Sequence, residues 1–190
     1  MNEINLKKIL DVGCGSSKIS GAVGIDQFQL PGVDFVHNLN SYPWPFPDKT
    51  FDNIVFCHSI SHLHDICAVM VECHRLLRNG GTIEIVAPHY ASDNFNTDPT
   101  HSIHMGIRSM NYFVSSNNFD YHYLPKECNF ELIKATISFR EVATSWRLSL
   151  KNNFVSAIGL EYLVNMFPRI YERFFCWIFP CSEIYFLLKK

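Results

Sequence analysis

The sequence predicts an α/β fold built on a mostly parallel sheet. Short apolar runs bounded by turn residues alternate with a helical pattern through the first half of the chain. One of those runs ends in a glycine turn, Leu10-Asp11-Val12-Gly13-Cys14-Gly15, and the next closes on an aspartate, Asp26. Together these describe strands whose carboxyl ends open on a nucleoside-binding crevice.

The first strand is expected over residues 8–12, where Ile9, Leu10 and Val12 suit a buried parallel strand. Gly13 and Gly15 then let the backbone turn sharply and approach a ligand with no side chain between. Residues 16–22 have room for little more than one turn, so a shortened first helix is expected. The second strand, 23–26, ends on Asp26, placed to accept hydrogen bonds from ribose hydroxyls. A nicotinamide site needs a third glycine opening a helix and an acid about 20 residues on. Here that glycine is missing and Asp26 follows Gly13 by only thirteen positions. The pocket therefore suits a ligand with a ribose and a zwitterionic tail but no pyrophosphate.

Further strands are expected at 33–37, 53–57 and 82–87. Between the last two, Ile66, Val69, Met70, Cys73, Leu76 and Leu77 recur at helical spacing, with Asp65 as N-cap and Asn79-Gly80-Gly81 as the stop. Residues 88–125 lose periodicity yet carry Tyr90, Phe95, Tyr112, Phe113, Phe119, Tyr121 and Tyr123, a composition that favours a functional loop region over disorder. A strand over 130–139, helices over 154–166 and 168–179, and a closing strand over 184–188 complete the chain.

With 190 residues and no internal linker, one domain is expected: a cofactor half to about residue 90, a substrate-facing insert over 88–125 and a C-terminal part over 128–190. A net charge of −2 offers no basic footprint for nucleic acid, so such partners are disfavoured. Seven cysteines, an odd count without CxxC pairs, point to a reducing cytoplasm. Neither a signal peptide nor a spanning segment is read from the chain. The run Tyr171, Phe174, Phe175, Trp177, Ile178 and Phe179 lacks a lysine-rich opposite face, which favours core packing or a homodimer seam over peripheral membrane contact.

In order and spacing, Leu10 to Gly15, Gly24 to Asp26, Asn38-Leu39-Asn40, Trp44-Pro45-Phe46-Pro47, Phe51-Asp52, His58 to Leu63 and Leu77-Arg78-Asn79-Gly80-Gly81 resemble the class I S-adenosylmethionine-dependent methyltransferases, in particular the small bacterial type 11 domain. The resemblance implies a Rossmann-like, seven-stranded sheet with an antiparallel edge and S-adenosylmethionine as cofactor. It assigns Asp11 and Gly13 to the methionine end, Gly15 to the close backbone approach and Asp26 to the ribose. Asn38, with Leu39 beside it, falls where relatives bind adenine, although a turn role serves Asn38 equally. His58 ends the fourth strand and faces the crevice or is a satisfied surface residue. Ser61 stands where a common family form carries an acid. His58 and His62 are four apart, but no third ligand at fitting spacing suggests a metal.

Methyl transfer to a hydroxyl needs a proton removed. His89 directly follows the fifth strand, and Asp98 with His101 lies in the next loop; either histidine is a candidate base, with Asp98 as its orienting acid. Glu84, inside a strand, reads as structural and His104 as a weak candidate. The segment Pro88-His89-Tyr90 leading to Asp98-Pro99-Thr100-His101, with the aromatic C-terminus, resembles a subgroup that modifies sugars or surface polysaccharides. This implies a sugar, sugar nucleotide or glycan hydroxyl as acceptor, with specificity drawn from 88–125 and from 144–154. Two rivals stand beside it: a cofactor-binding protein without turnover, and a scaffold partner in glycan assembly.

Overall fold

The computed structural model describes residues 8–114, 123–125, 128–139 and 159–190. Seven strands form one sheet in the order β3-β2-β1-β4-β5-β7-β6. Strands β1 (Ile9–Val12), β2 (Val23–Asp26), β3 (Phe35–Val36), β4 (Phe51–Cys57) and β5 (Leu77–Pro88) run parallel. Strand β7 (Glu183–Lys189) runs antiparallel to both β5 and the edge strand β6 (Glu131–Ser138). The antiparallel strand thus lies one place in from the edge.

Between β1 and β2 the chain makes only turns, so the shortening goes further than a truncated helix. Asp11 caps this segment from below, its Oδ2 accepting from Ile19 N at 2.9 Å. Helix α1 (Ile66–Leu76) begins where expected, with Asp65 Oδ1 accepting from Ala68 N at 3.0 Å. Its end differs: Leu77 is already extended and enters β5 directly, ahead of the Asn79-Gly80-Gly81 stop. Gly81 is instead a strand requirement, because a Cβ there would meet Asp52 O at 3.1 Å.

Val69, Met70, Cys73 and Leu76 of α1 are fully buried with Leu10, Ile25, Ile54, Phe56, Ile83 and Ile85 of the sheet. Each such side chain contributes about 1.5–3 kcal/mol by leaving water. The Trp44 to Pro47 stretch is part of this core: Trp44 N donates to Glu72 Oε1 at 2.6 Å, and Arg75 ties the same carboxylate to Phe46 O and Asp48. Glu84 is structural, accepting from Asn53 and Tyr185 across neighbouring strands.

Within 88–125 lie a short helix, α2 (Asp93–Thr97), and a 3-10 turn over Ser109–Phe113; Phe119 and Tyr121 fall outside the described residues, as does the segment 144–154. Toward the C-terminus stand α3 (Leu160–Met166) and α4 (Pro168–Phe174), the latter ending five residues before the expected boundary. Tyr171 and Cys176 are buried, whereas Phe174, Phe175, Trp177, Ile178 and Phe179 are exposed. Core packing therefore holds for Tyr171 alone among the aromatic run. A groove of about 360 Å³ lined by Leu160, Leu163, Phe167, Tyr171 and Phe179 opens on this face. Among the described residues no helix is long and apolar enough to cross a membrane.

Candidate functional site

The strand order reverses direction between β1 and β4, which opens a crevice at their carboxyl ends. Gly13, Gly15, Asp26 and the residues after Cys57 converge there. Gly13 N donates to Ile25 O at 2.8 Å, holding the glycine turn against β2. The two glycines do different work. A Cβ on Gly13, at φ +67°, would stand 2.4 Å from Ser59 Cβ, so its close approach is to the chain itself, where Ser59 Oγ also bonds Val12 O. Gly15, at φ +53°, faces open space with nothing within 4 Å of a built Cβ. The left-handed backbone explains why glycine stands there.

Asp26 is buried, with Oδ2 accepting from Gly15 N and Oδ1 from Phe28 N, each at 2.9 Å. A carboxylate offers about four acceptor directions, so two backbone bonds orient the group and leave capacity for hydroxyl donors. Asp11 is 3% exposed. Burial raises its pKa from the ordinary aspartate value, opposed by the Ile19 N–H and Lys18 and reinforced by the charge of Asp26. Two carboxylates at the base of one crevice make it suited to a cation. Cys14, between the glycines, is a poor nucleophile, since burial first and then Asp11 and Asp26 push its thiol to about 11.

After β3, Asn38 Oδ1 accepts from Asn40 N at 3.0 Å, the turn role the sequence allowed. Leu39 is buried and its carbonyl accepts from Trp44 Nε1 at 3.1 Å. At the end of β4, His58 takes φ +58°, a strained setting for a non-glycine residue, and its Nε2 lies 2.9 Å from Glu183 Oε1 on β7. An acid does meet this segment, supplied from β7 and not from position 61. Ser61 is fully buried and its hydroxyl has no partner among the described residues.

The two candidate bases separate. His89 is fully buried; Ala91 N donates to its Nδ1 at 3.1 Å, which puts the proton on Nε2, facing Glu172 Oε1 at 3.1 Å. Both nitrogens are committed, and the expected role as a base does not fit this geometry: His89 braces α4 against the end of β5. His101 sits differently. Its Nδ1–H donates to Phe95 O at 3.1 Å while its ring stacks on Phe95, and its Nε2 faces Asp98 Oδ2 at 4.0 Å. The basic tautomer is thus fixed by a backbone carbonyl, with Asp98 on the side of the lone pair and not behind the ring.

His62, from the 3-10 turn Ile60–His62, joins this pair, its ring centroid 4.5 Å from that of His101. Ser102 binds the loop to that turn through Ser61 O and Leu63 O. Burial first, and then the neighbouring His101, lower the pKa of His62 from the ordinary histidine value. Beside this cluster, a pocket of about 330 Å³ is lined by Ile66, Cys67, Ile103, His104, Met105, Tyr112 and Tyr123.

Sequence reasoning missed Glu183, Glu172 and the company of His62. No local pattern reveals them, because their partners lie 125, 83 and 38 residues away along the chain.

A family model described as the methyltransferase domain matches residues 3–166. Ribosomal RNA-processing protein 8 of Caenorhabditis briggsae is 36% identical over 84 residues, covering 40% of this chain and 24% of that protein. Demethylmenaquinone methyltransferase of Lysinibacillus sphaericus (strain C3-41) is 28% identical over 99 residues, covering 40% of this chain and 42% of the other. The chain spans less than half the length of these curated relatives. Among solved structures, a SAM-dependent methyltransferase from Archaeoglobus fulgidus superposes with a TM-score of 0.61 at 18% identity, over 97% of this chain and 86% of that one. The [4+2]-cyclase SpnF superposes with a TM-score of 0.54 at 15% identity, over 97% and 75%. These identities show a shared fold.

Proposed function

The chain belongs to the methyltransferase-domain family, and from that premise we propose that it transfers the methyl group of S-adenosylmethionine to a hydroxyl of a small acceptor. The observation that carries this reading is the open Gly15 backbone beside the oriented carboxylate of Asp26. When bound, the cofactor supplies an already activated methyl group on a sulfonium, so the protein has mainly to align the reactants. Asp26 would hold the ribose hydroxyls, Gly15 would admit the ligand to the backbone, and the buried charge of Asp11 suits the cationic methionine end.

On the acceptor side, Nε2 of His101, whose Nδ1 is held by Phe95 O, and the neighbouring ring of His62 provide for the hydroxyl proton. A saccharide is the acceptor class we favour, on the resemblance of the 88–101 segment and on the stacked Tyr112 and Tyr123 rings beside the pocket, 5.3 Å apart. The relatives named for ribosomal RNA processing and demethylmenaquinone offer the competing classes. Transfer of tritium-labelled methyl to three panels tests the assignment: sugar nucleotides and glycans, quinols, and RNA. Label in the saccharide fraction, on oxygen, is the expected result. Label confined to quinol or RNA overturns the acceptor and leaves the cofactor assignment standing.

A further inference from the structure

The geometry points to a site for one divalent first-row transition-metal ion formed by His62, Asp98 and His101. One ligand atom from each residue lies within 4.8 Å of the other two. Nitrogen atoms at a tetrahedral zinc lie about 3.3 Å apart, given bonds of about 2.0–2.1 Å, so side-chain adjustment of up to about 1.5 Å brings the three ligand atoms onto one ion.

The hydrogen bonds around the cluster favour a cation more than proximity alone does. His101 Nδ1–H is spent on Phe95 O. Thr100 Oγ1 donates its single proton to Asp98 Oδ1 at 2.6 Å and so accepts from His62 Nδ1–H at 2.8 Å. Both rings thus direct Nδ1–H to these partners and leave Nε2 as the available ligand atom, that of His101 facing Asp98 Oδ2 at 4.0 Å. Fixing one ring nitrogen through a carbonyl or hydroxyl is how proteins prepare the other as a ligand. Two imidazoles with one carboxylate suit zinc, iron, cobalt or nickel more than magnesium or calcium.

The cluster joins the turn after β4 to the loop after α2, and the β4 turn packs on the glycine loop through Ser59. Three protein ligands leave a coordination position for water or an acceptor oxygen. With the ion bound, His62 and His101 act as ligands and not as bases, and a hydroxyl at the ion gives up its proton to solvent more readily; this role, unlike the binding itself, rests on the methyl-transfer reading and takes the place of the histidine base proposed there.

Tag-free protein, stripped with chelator, is titrated with zinc in a calorimeter and with cobalt in the visible spectrum. One ion per chain is expected, with cobalt absorption typical of nitrogen and oxygen ligands. His62→Ala, His101→Ala and Asp98→Asn should each weaken binding at least about tenfold, Thr100→Val by about 10–100-fold through loss of its orienting bonds, and the exposed His64→Ala not at all. Circular dichroism checks that the variants fold. Equal zinc affinity in wild type and the His62→Ala/His101→Ala double variant, or no zinc binding by wild type, overturns the site. Cofactor affinity is measured separately, so failure of the methyl-transfer reading and failure of the metal site are told apart.

Discussion

Asp11 carries opposite meanings for folding and for binding. Burial raises its pKa, so between the ordinary carboxylate value near 3.9 and its raised value the folded chain holds a proton that the unfolded chain has lost. Stability therefore falls as pH rises through that window. Asp11→Asn keeps an acceptor for Ile19 N and removes the buried charge. Thermal melts across pH should show this variant at least as stable as wild type at neutral pH, with the slope in that window reduced. Its affinity for S-adenosylmethionine should fall about 10–150-fold, because a cationic ligand loses a charged partner whose bond is worth about 1.5–3 kcal/mol. A variant less stable than wild type at neutral pH would contradict the account of Asp11. Neither property follows from the Leu10 to Gly15 motif alone, which shows an acid at the position but not its burial.

Among elements, those governed by local signals were legible in the sequence. The glycine turn, the Asp65 cap and the Asp26 terminus are written within a few residues, and β1, β2 and α1 stand within a few residues of the expected bounds. Contacts between distant elements were not legible, and α4 shows why. Its Glu172 accepts from His89 Nε2 and, at 2.6 Å, from Ile107 N, anchoring both sides of the post-β5 loop from 65 and more residues away. Read as a sequence, His89 is a candidate base; in the fold it is half of a brace. Glu172→Ala should strand two donors and cost roughly 2–4 kcal/mol, a fall in Tm of about 5–15 °C at this chain length. Glu172→Gln, which retains an acceptor, should recover much of it. Wild-type melting of Glu172→Ala would remove the brace.

At the scale of the whole molecule, the parallel sheet with its antiparallel β7 brings Gly15, Asp26 and Asp11 to one crevice and the His62, Asp98 and His101 cluster to the turns beyond β4 and β5. The same fold serves a [4+2]-cyclase, so architecture does not dictate methyl transfer. The reading of this chain rests on the chemistry of its crevice: the carboxylates of Asp11 and Asp26, a glycine open to a ligand and a β1–β2 connection too short for a pyrophosphate-binding helix. Calorimetric titration with S-adenosylmethionine, with NAD as control, in wild type and Asp26→Ala, tests that claim most directly. The account predicts micromolar binding of S-adenosylmethionine, no binding of NAD, and at least a tenfold loss of affinity in the variant. No binding of S-adenosylmethionine to wild type, or equal affinity in the two proteins, would contradict it.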